Sequence, residues 1–354
     1  MRNPGQGVFY ELLFVSGYGI PALTQRADIP RTVKREGRTM GTYRNEEQMQ
    51  CLAKSEGFSV FRMENATGEG TIAMYELFPG VMLGFNDFHM DYFDSEFVPQ
   101  KHVFCIDHCR EGRMQYVADE DAYAYVEAGD LKLDRRLTHT GHFEFPLAHY
   151  HGAMICFDLE TADAGLAAQM KGFPVSAAAI CRKFCEGKYP RVLHGHPAVE
   201  HIFSELYAVP EQIRIPYFKL KVMELLLFLE AAELPRRIDE PAYFYRTQVE
   251  KVKAIERYLT EHMDENITQR ELSERFDIPQ TGMKQCFKSV YGTSIGDWLL
   301  KYRMNRAAVL LREDREKNVA EIAGMVGYDS PSKFAMAFKR VMQMSPVEYR
   351  NAIR

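Results

Sequence analysis

Ten of the eleven histidines lie before residue 235, and two pairs of them are spaced for chemistry. His149-Tyr150-His151 puts two imidazoles on one face of a strand, because side chains at i and i+2 point the same way. His194-Gly195-His196 repeats that spacing. Imidazole suits zinc, copper, iron and nickel, so one reading is a cupin-like metal-binding enzyme or metal sensor. The other donors argue against it. No Glu follows His151 at a short interval; Glu160 is nine residues on. Cys105, His108 and Cys109 are close in sequence, yet on a strand both cysteines face away from His108. Cys181 and Cys185 share a helix face, as core thiols do. No Ser/His/Asp set, phosphate loop or dinucleotide fingerprint is present. The expectation is therefore no metal, no cofactor and no catalytic residue.

The elements that must position these residues change character along the chain. From Phe58 to Asp158 the pattern has period two, in segments such as Thr71–Leu77, Val81–Phe85, His102–Asp107, Met114–Ala118, Ala122–Val126, Leu131–Leu133 and His149–Asp158. Pro79-Gly80, Gly112, Ala128-Gly129-Asp130 and Pro146 punctuate them, which predicts a β-barrel or sandwich, cupin-like in outline. Its aromatics (Phe58, Phe61, Tyr75, Phe78, Phe85, Phe88, Tyr92, Phe93, Tyr116, Tyr123, Tyr125) would fill a solid core or line a small-ligand cavity. Helices follow over 160–234, the last of them, Ile215–Glu233, apolar on most sides. Such a helix must be largely buried, against its own sheet, against a twin in a homodimer, or both. Residues 1–57, with a basic run (Arg26, Arg31, Lys34, Arg35, Arg38), read as a leader with an internal start candidate at Met40. Residues 235–245 read as a Pro-bounded linker.

Charge divides the chain too. The net formal charge is −5, but residues 243–354 carry 19 Lys+Arg against 15 Asp+Glu, leaving an acidic body and a basic C-terminal part. That is the distribution of a polyanion-binding module attached to something else. Seven scattered cysteines fit reduced thiols in a cytoplasmic protein. No apolar run reaches the roughly 18 residues that cross a bilayer, and Glu11 interrupts the only stretch resembling a secretion signal. No membrane is expected.

The last stretch, Ile267–Arg354, reads as one helical unit written twice. Glu271-Leu272-Ser273 returns as Glu321-Ile322-Ala323, offset by 50; Phe287-Lys288 returns as Phe338-Lys339, offset by 51. Thr268 and Glu271 form a capping box. The spacing predicts helices over 268–276 and from Pro279 to Tyr291, a connecting helix over Asp297–Arg312, and a second pair over Val319–Val326 and Ser330–Val341. Two short helices joined by a turn can place the second in a major groove. Two units on one connector would enter successive grooves about 34 Å apart.

The run Ile322-Ala323…Gly327-Tyr328-Asp329-Ser330…Phe334…Ala337-Phe338-Lys339-Arg340…Ser345-Pro346…Tyr349-Arg350 resembles the signature of the AraC/XylS family of bacterial transcription regulators, over residues 246–354. Leu220-Lys221 and Glu224-Leu225-Leu226 are similar to the branch containing siderophore-responsive regulators. The fold that this implies is α+β: a sheet-rich sensory and dimerisation domain over 58–234, then an all-α domain of two helix-turn-helix units joined by a long helix. By resemblance, Leu272, Phe276, Phe287, Ile322, Val326, Phe334 and Phe338 hold the units together. Thr281, Lys284, Gln285 and Lys288 in the first reading helix face DNA, as do Pro331, Ser332, Lys333, Met336 and Arg340 in the second. Many members carry Arg where this chain has Gln285 and Met336, and Gly where it has Gln343. The second unit is therefore expected to bind by backbone and shape. The implied partners are double-stranded promoter DNA, RNA polymerase, a small-molecule effector and a second copy of the chain; the implied location is the cytoplasm, on the nucleoid. Neither the effector nor the activator or repressor sign is encoded in these residues.

Overall fold

The computed structural model describes residues 41–43, 49–94, 97–99, 102–137, 141–169, 171–233, 243–314 and 316–352. The expected leader up to residue 40 and most of the expected linker lie outside them. The chain divides into two units between Tyr243 and Phe244.

The first unit is an antiparallel sheet backed by helices. Its strands are β1 (Met49–Ser55), β2 (Phe58–Asn65), β3 (Gly68–Phe78), β4 (Val81–His89), β5 (Val103–Asp119), β6 (Ala122–Glu127), β7 (Leu131–Asp134), β8 (Tyr150–Asp158) and β9 (Arg191–Leu193). The spatial order is β9-β7-β5-β8-β4-β3-β2-β1, with β6 paired to the far half of β5. Alternation assigns two faces. Val81, Leu83, Phe104, Ile106, Ala153, Ile155 and Phe157 point to one, where they are buried under α1 (Ala162–Gln169), α2 (Ala177–Phe184), α3 (Pro197–Leu206) and α4 (Arg214–Ala231). The aromatics of that face pack on the helices: Phe85 lies 5.4 Å from Phe218 and 5.5 Å from Tyr207, ring centre to ring centre. A second cluster forms around Phe88, Phe93, Phe145 and Tyr150, stacked in series. These rings pack on one another as core.

A buried ionic group lies on the strands β5 and β7. Lys132 sits 2.9 Å from Asp107 and 3.1 Å from Asp134, while Arg136 reaches Asp107 at 2.7 Å and Asp134 at 3.2 Å. Two cations face two carboxylates, so no charge is left uncompensated.

Two features depart from the sequence reading. The segment Met49–Ser55 falls inside the expected leader yet pairs with β2. It is an edge strand with mostly exposed side chains, so burial imposes no alternation on it. Gly112 was expected to end a strand; instead β5 runs through it for 17 residues. The glycine adopts φ 87° beside a β-bulge at His151/Gly152, and a Cβ there would meet the His149 carbonyl at 2.1 Å. A glycine that reads as a stop in sequence is a bend in a continuous strand. Of the packings expected for the apolar helix, the one on its own sheet is present: α4 lays Phe218, Val222, Leu225, Leu226 and Leu229 there, while Leu220 and Leu227 face outward. No helix among the described residues is long and apolar enough to cross a membrane.

Apart from the two-residue strand Phe244–Tyr245 at its start, the second unit is helical among the described residues: α5 (Arg246–Glu261), α6 (Gln269–Arg275), α7 (Gln280–Tyr291), α8 (Ile295–Glu313), α9 (Val319–Met325), α10 (Pro331–Met342) and α11 (Pro346–Ala352). The last was not anticipated. Ser345 and Glu348 exchange hydrogen bonds across its first turn, a local signal that Ser345-Pro346-x-Glu348 carries in plain sequence. The chain is thus α+β, with an N-terminal unit that is mostly antiparallel sheet and a C-terminal unit that is mostly helix.

Candidate nucleic-acid interface

Each helix-turn-helix starts on a capping box. The Thr268 hydroxyl accepts from the Glu271 amide at 3.2 Å, and the Glu271 carboxylate accepts from the Thr268 amide at 2.7 Å. In the second copy the Asn318 side chain accepts from both the Ala320 and Glu321 amides at 2.9 Å, and Glu321 accepts from the Asn318 amide at 2.7 Å. Orphan amides of the first turn are satisfied the same way twice, from residues 50 apart.

The turns differ in the residue that makes them possible. Both need a left-handed backbone. The first uses Asp277 at φ 47°, the second Gly327 at φ 81°. Lys251 of α5 closes the first, donating to the Asp277 carbonyl. The second lies against Arg303 of the connecting helix α8, and a Cβ on Gly327 would stand 2.8 Å from that guanidinium. Burial lowers the Arg303 pKa from its ordinary value, and the side chain is held by two backbone carbonyls, Met263 at 2.6 Å and Glu265 at 2.7 Å. One buried arginine therefore ties the connector to the loop before α6 and to the turn before α10.

Behind the reading helices the cores are closed. Leu272, Phe287, Ile322, Val326, Phe334 and Phe338 are fully buried, and Phe276 is half-buried with its ring edge against Tyr258. In front, all the positions expected to meet DNA are exposed. On α7 these are Thr281, Lys284, Gln285 and Lys288; on α10 they are Pro331, Ser332, Lys333, Met336 and Arg340. Positions 281, 284/285 and 288 recur at helical spacing, so one stripe of α7 presents two ammonium groups and an amide. Lysine suits phosphate oxygens, and the glutamine amide can pair with adenine N6/N7. The α10 stripe is different. Pro331 occupies the first helical turn behind the Ser330 cap, and Met336 is 75 % exposed, an apolar side chain in the middle of the face. Lys333 and Arg340 supply its charge.

The histidines sort differently from their sequence spacing. His194 bonds Asp130 at 2.9 Å, and His196 accepts from the Ala198 amide as the cap of α3, so that pair does not converge. His108 stacks on Phe203 with ring centres 4.1 Å apart, and Cys109 is buried in the other cluster. Cys181 and Cys185 are buried under the helices. His149 and His151 do come together, with ring centres 4.4 Å apart, and they are joined by His89 from β4. Asp87 lies 2.9 Å from His89 and 2.5 Å from His151; Glu111 lies 3.6 Å from His149. Burial works to raise the Asp87 carboxyl, but hydrogen bonds from His151 and His89 outweigh it and hold the group below the usual carboxylate range. Burial, with the other two imidazoles, pushes His149 down to about 3, so its ring is neutral. The carboxylate missing after His151 in sequence is thus supplied by neighbouring strands. Strand register was the signal: Asp87 is directly opposite His151.

The family match lies within the C-terminal unit. Residues 272–352 match a family described as a helix-turn-helix domain. Over 100 residues the chain is 33% identical to the probable transcriptional regulator LumQ of Photobacterium leiognathi, covering 28% of this chain and 40% of that protein. Over 97 residues it is 33% identical to the uncharacterized HTH-type transcriptional regulator YisR of Bacillus subtilis, covering 27% and 33%. The chain therefore spans less than half the length of these curated relatives. Among solved structures it is similar to the C-terminal domain of AraT, a response regulator from Geobacillus stearothermophilus, with 32% identity, 29% of this chain and 84% of that chain covered, and a TM-score of 0.28.

Proposed function

We propose that this chain, which carries an AraC-type helix-turn-helix domain at its C-terminus, is a transcription regulator that reads promoter DNA with α7 and α10. The observation that supports this best is the pairing of two capped helix-turn-helix units on one connector, with every expected DNA-facing side chain exposed. The relatives carry the names of transcriptional regulators rather than enzymes. On this reading α7 supplies base recognition through Gln285, framed by phosphate contacts from Lys284 and Lys288. Helix α10 supplies register through Lys333 and Arg340, and Met336 contributes an apolar contact of the kind that meets a thymine methyl.

The N-terminal unit is proposed as the regulatory part, acting in the cytoplasm, with a small-molecule effector, RNA polymerase and a second copy of the chain as partners. Support for a homodimer through α4 is the outward pair Leu220 and Leu227, one on each side of Glu224. Selection of bound sequences from a random DNA pool by the full chain tests the central claim. Enrichment of a motif that contracts to one half-site in the Lys284→Ala/Gln285→Ala variant is the expected result. A pool that stays random, or a motif indifferent to that variant, overturns it.

A further inference from the structure

The sheet brings three imidazoles and two carboxylates to one spot that the DNA-binding reading leaves unused. Asp87 on β4, His151 on β8 and Glu111 on β5 are directly opposite one another across three adjacent strands. His89 lies two residues beyond Asp87, and His149 two before His151, so all five project from one face. The positive φ of Gly112 lets β5 approach the His149 backbone, which closes the group from that side.

We propose that His89, His149 and His151 form a binding site for a divalent first-row transition-metal ion, with Asp87 and Glu111 as its carboxylate partners. One nitrogen from each imidazole lies within 4.8 Å of the others. Around a tetrahedral ion with metal–nitrogen bonds of about 2.1 Å, ligand nitrogens stand roughly 3.4 Å apart. The difference, at most about 1.4 Å, is of the size that a change of side-chain torsion closes. His89 and His151 both direct Nε2 at Asp87 Oδ1, so this oxygen stands where it either completes the coordination sphere or orients two of the rings. Two carboxylates also neutralise a dication, which removes the penalty of burying it. The nitrogen-rich donor set selects Zn(II), Co(II), Ni(II) or Fe(II) over Mg(II) and Ca(II), which demand oxygen. No thiol belongs to the group, which separates this site from a thiolate zinc centre. His89 is 37 % exposed at its side chain and gives the ion a way in from solvent.

The test uses the full chain, stripped with chelator and titrated with Co(II), reading its visible ligand-field bands, with Zn(II) competition by calorimetry. One equivalent binds wild type. His89→Gln weakens binding at least 100-fold, and Asp87→Asn weakens it about 10-fold or more. His201→Ala, a control at an exposed position, leaves binding unchanged. Melting of each metal-free variant confirms folding, and His89→Gln, at a partly exposed side chain, is the variant chosen to preserve it. Three results overturn the proposal: no stoichiometric binding, which leaves a proton-bonded cluster only; affinity unmoved by His89→Gln; or a thiolate charge-transfer band, which places the ion on cysteine.

Discussion

Arg303 Nε donates to the backbone carbonyl of Met263 across 2.6 Å. The bond joins the middle of the connecting helix to the loop that precedes the first helix-turn-helix. The same guanidinium donates to Glu265 and lies 6.0 Å from the Tyr328 ring, beside the second turn. Replacing it with an apolar side chain of similar length removes the donor from both carbonyls. Arg303→Met is expected to lower the stability of the C-terminal unit by about 2–3 kcal/mol, measured by denaturant unfolding. Binding to a two-site operator should fall further than binding to an isolated half-site, since the relative pose of the units is what the arginine fixes.

The two reading helices are expected to fail differently. Lys284→Ala/Gln285→Ala should remove base recognition at one half-site, at about 1–3 kcal/mol of discrimination, measured by gel shift against matched and mutated operators. Lys288→Ala should weaken all sequences alike and reduce the slope of log affinity against log salt by about one. Met336→Ala should shift affinity less than the α7 double variant. A change in preferred sequence for Met336→Ala larger than that of the α7 double variant would show that α10, rather than α7, carries most of the base readout.

Gln343 ends α10 at φ 62°, where the first unit has Gly292 at φ 74°. A left-handed glutamine is strained; its backbone N–H donates to the Lys339 carbonyl and its side-chain amide to the Arg340 carbonyl at 3.0 Å. Gln343→Gly is expected to stabilise the chain by about 0.5–1 kcal/mol, seen as a higher melting temperature with unchanged DNA affinity.

The ionic group of the sheet predicts a pH dependence. Burial opposes ionisation of Asp107 and Asp134, but Arg136 and Lys132 hold both carboxyls below the usual range. A carboxyl depressed in the folded state stabilises at pH values above its unfolded pKa of about 4, and that contribution is lost as pH falls through the folded value. Asp107→Asn should therefore cost about 3 kcal/mol at pH 7. The gap between variant and wild type should stay flat down to about pH 5 and narrow below about pH 4. A gap that widens in acid would show that Asp107 is not ionised in the folded chain.

What could be read in the sequence and what could not divide along range. The caps Thr268/Glu271 and Asn318/Glu321 act over three residues, so their chemistry is visible in the order of letters, and so is the offset between them. The outward stripe on α7 follows from helical period for the same reason. His89 and Asp87 were invisible as partners of His151 because a register, not a spacing, joins them: Asp87 and His151 are 64 positions apart. The strand Met49–Ser55 carried no alternation to read, since its side chains are mostly exposed. In the same way Gly112 was legible as a conformational exception, but only the pairing of β5 with β8 decides that it bends a strand rather than ends one.

The unequal turns have a consequence for how freely the two copies can drift. At position 277 the backbone asks only for a residue at ease in the left-handed region, and aspartate, asparagine and glycine all qualify. At position 327 a Cβ would collide with the guanidinium of Arg303 and with the Met263 carbonyl. A saturation library across both turns should therefore return a small alphabet at the first and a single letter at the second. The duplicated unit is symmetric in design but not in tolerance: its second copy is pinned by a side chain that belongs to the helix between them.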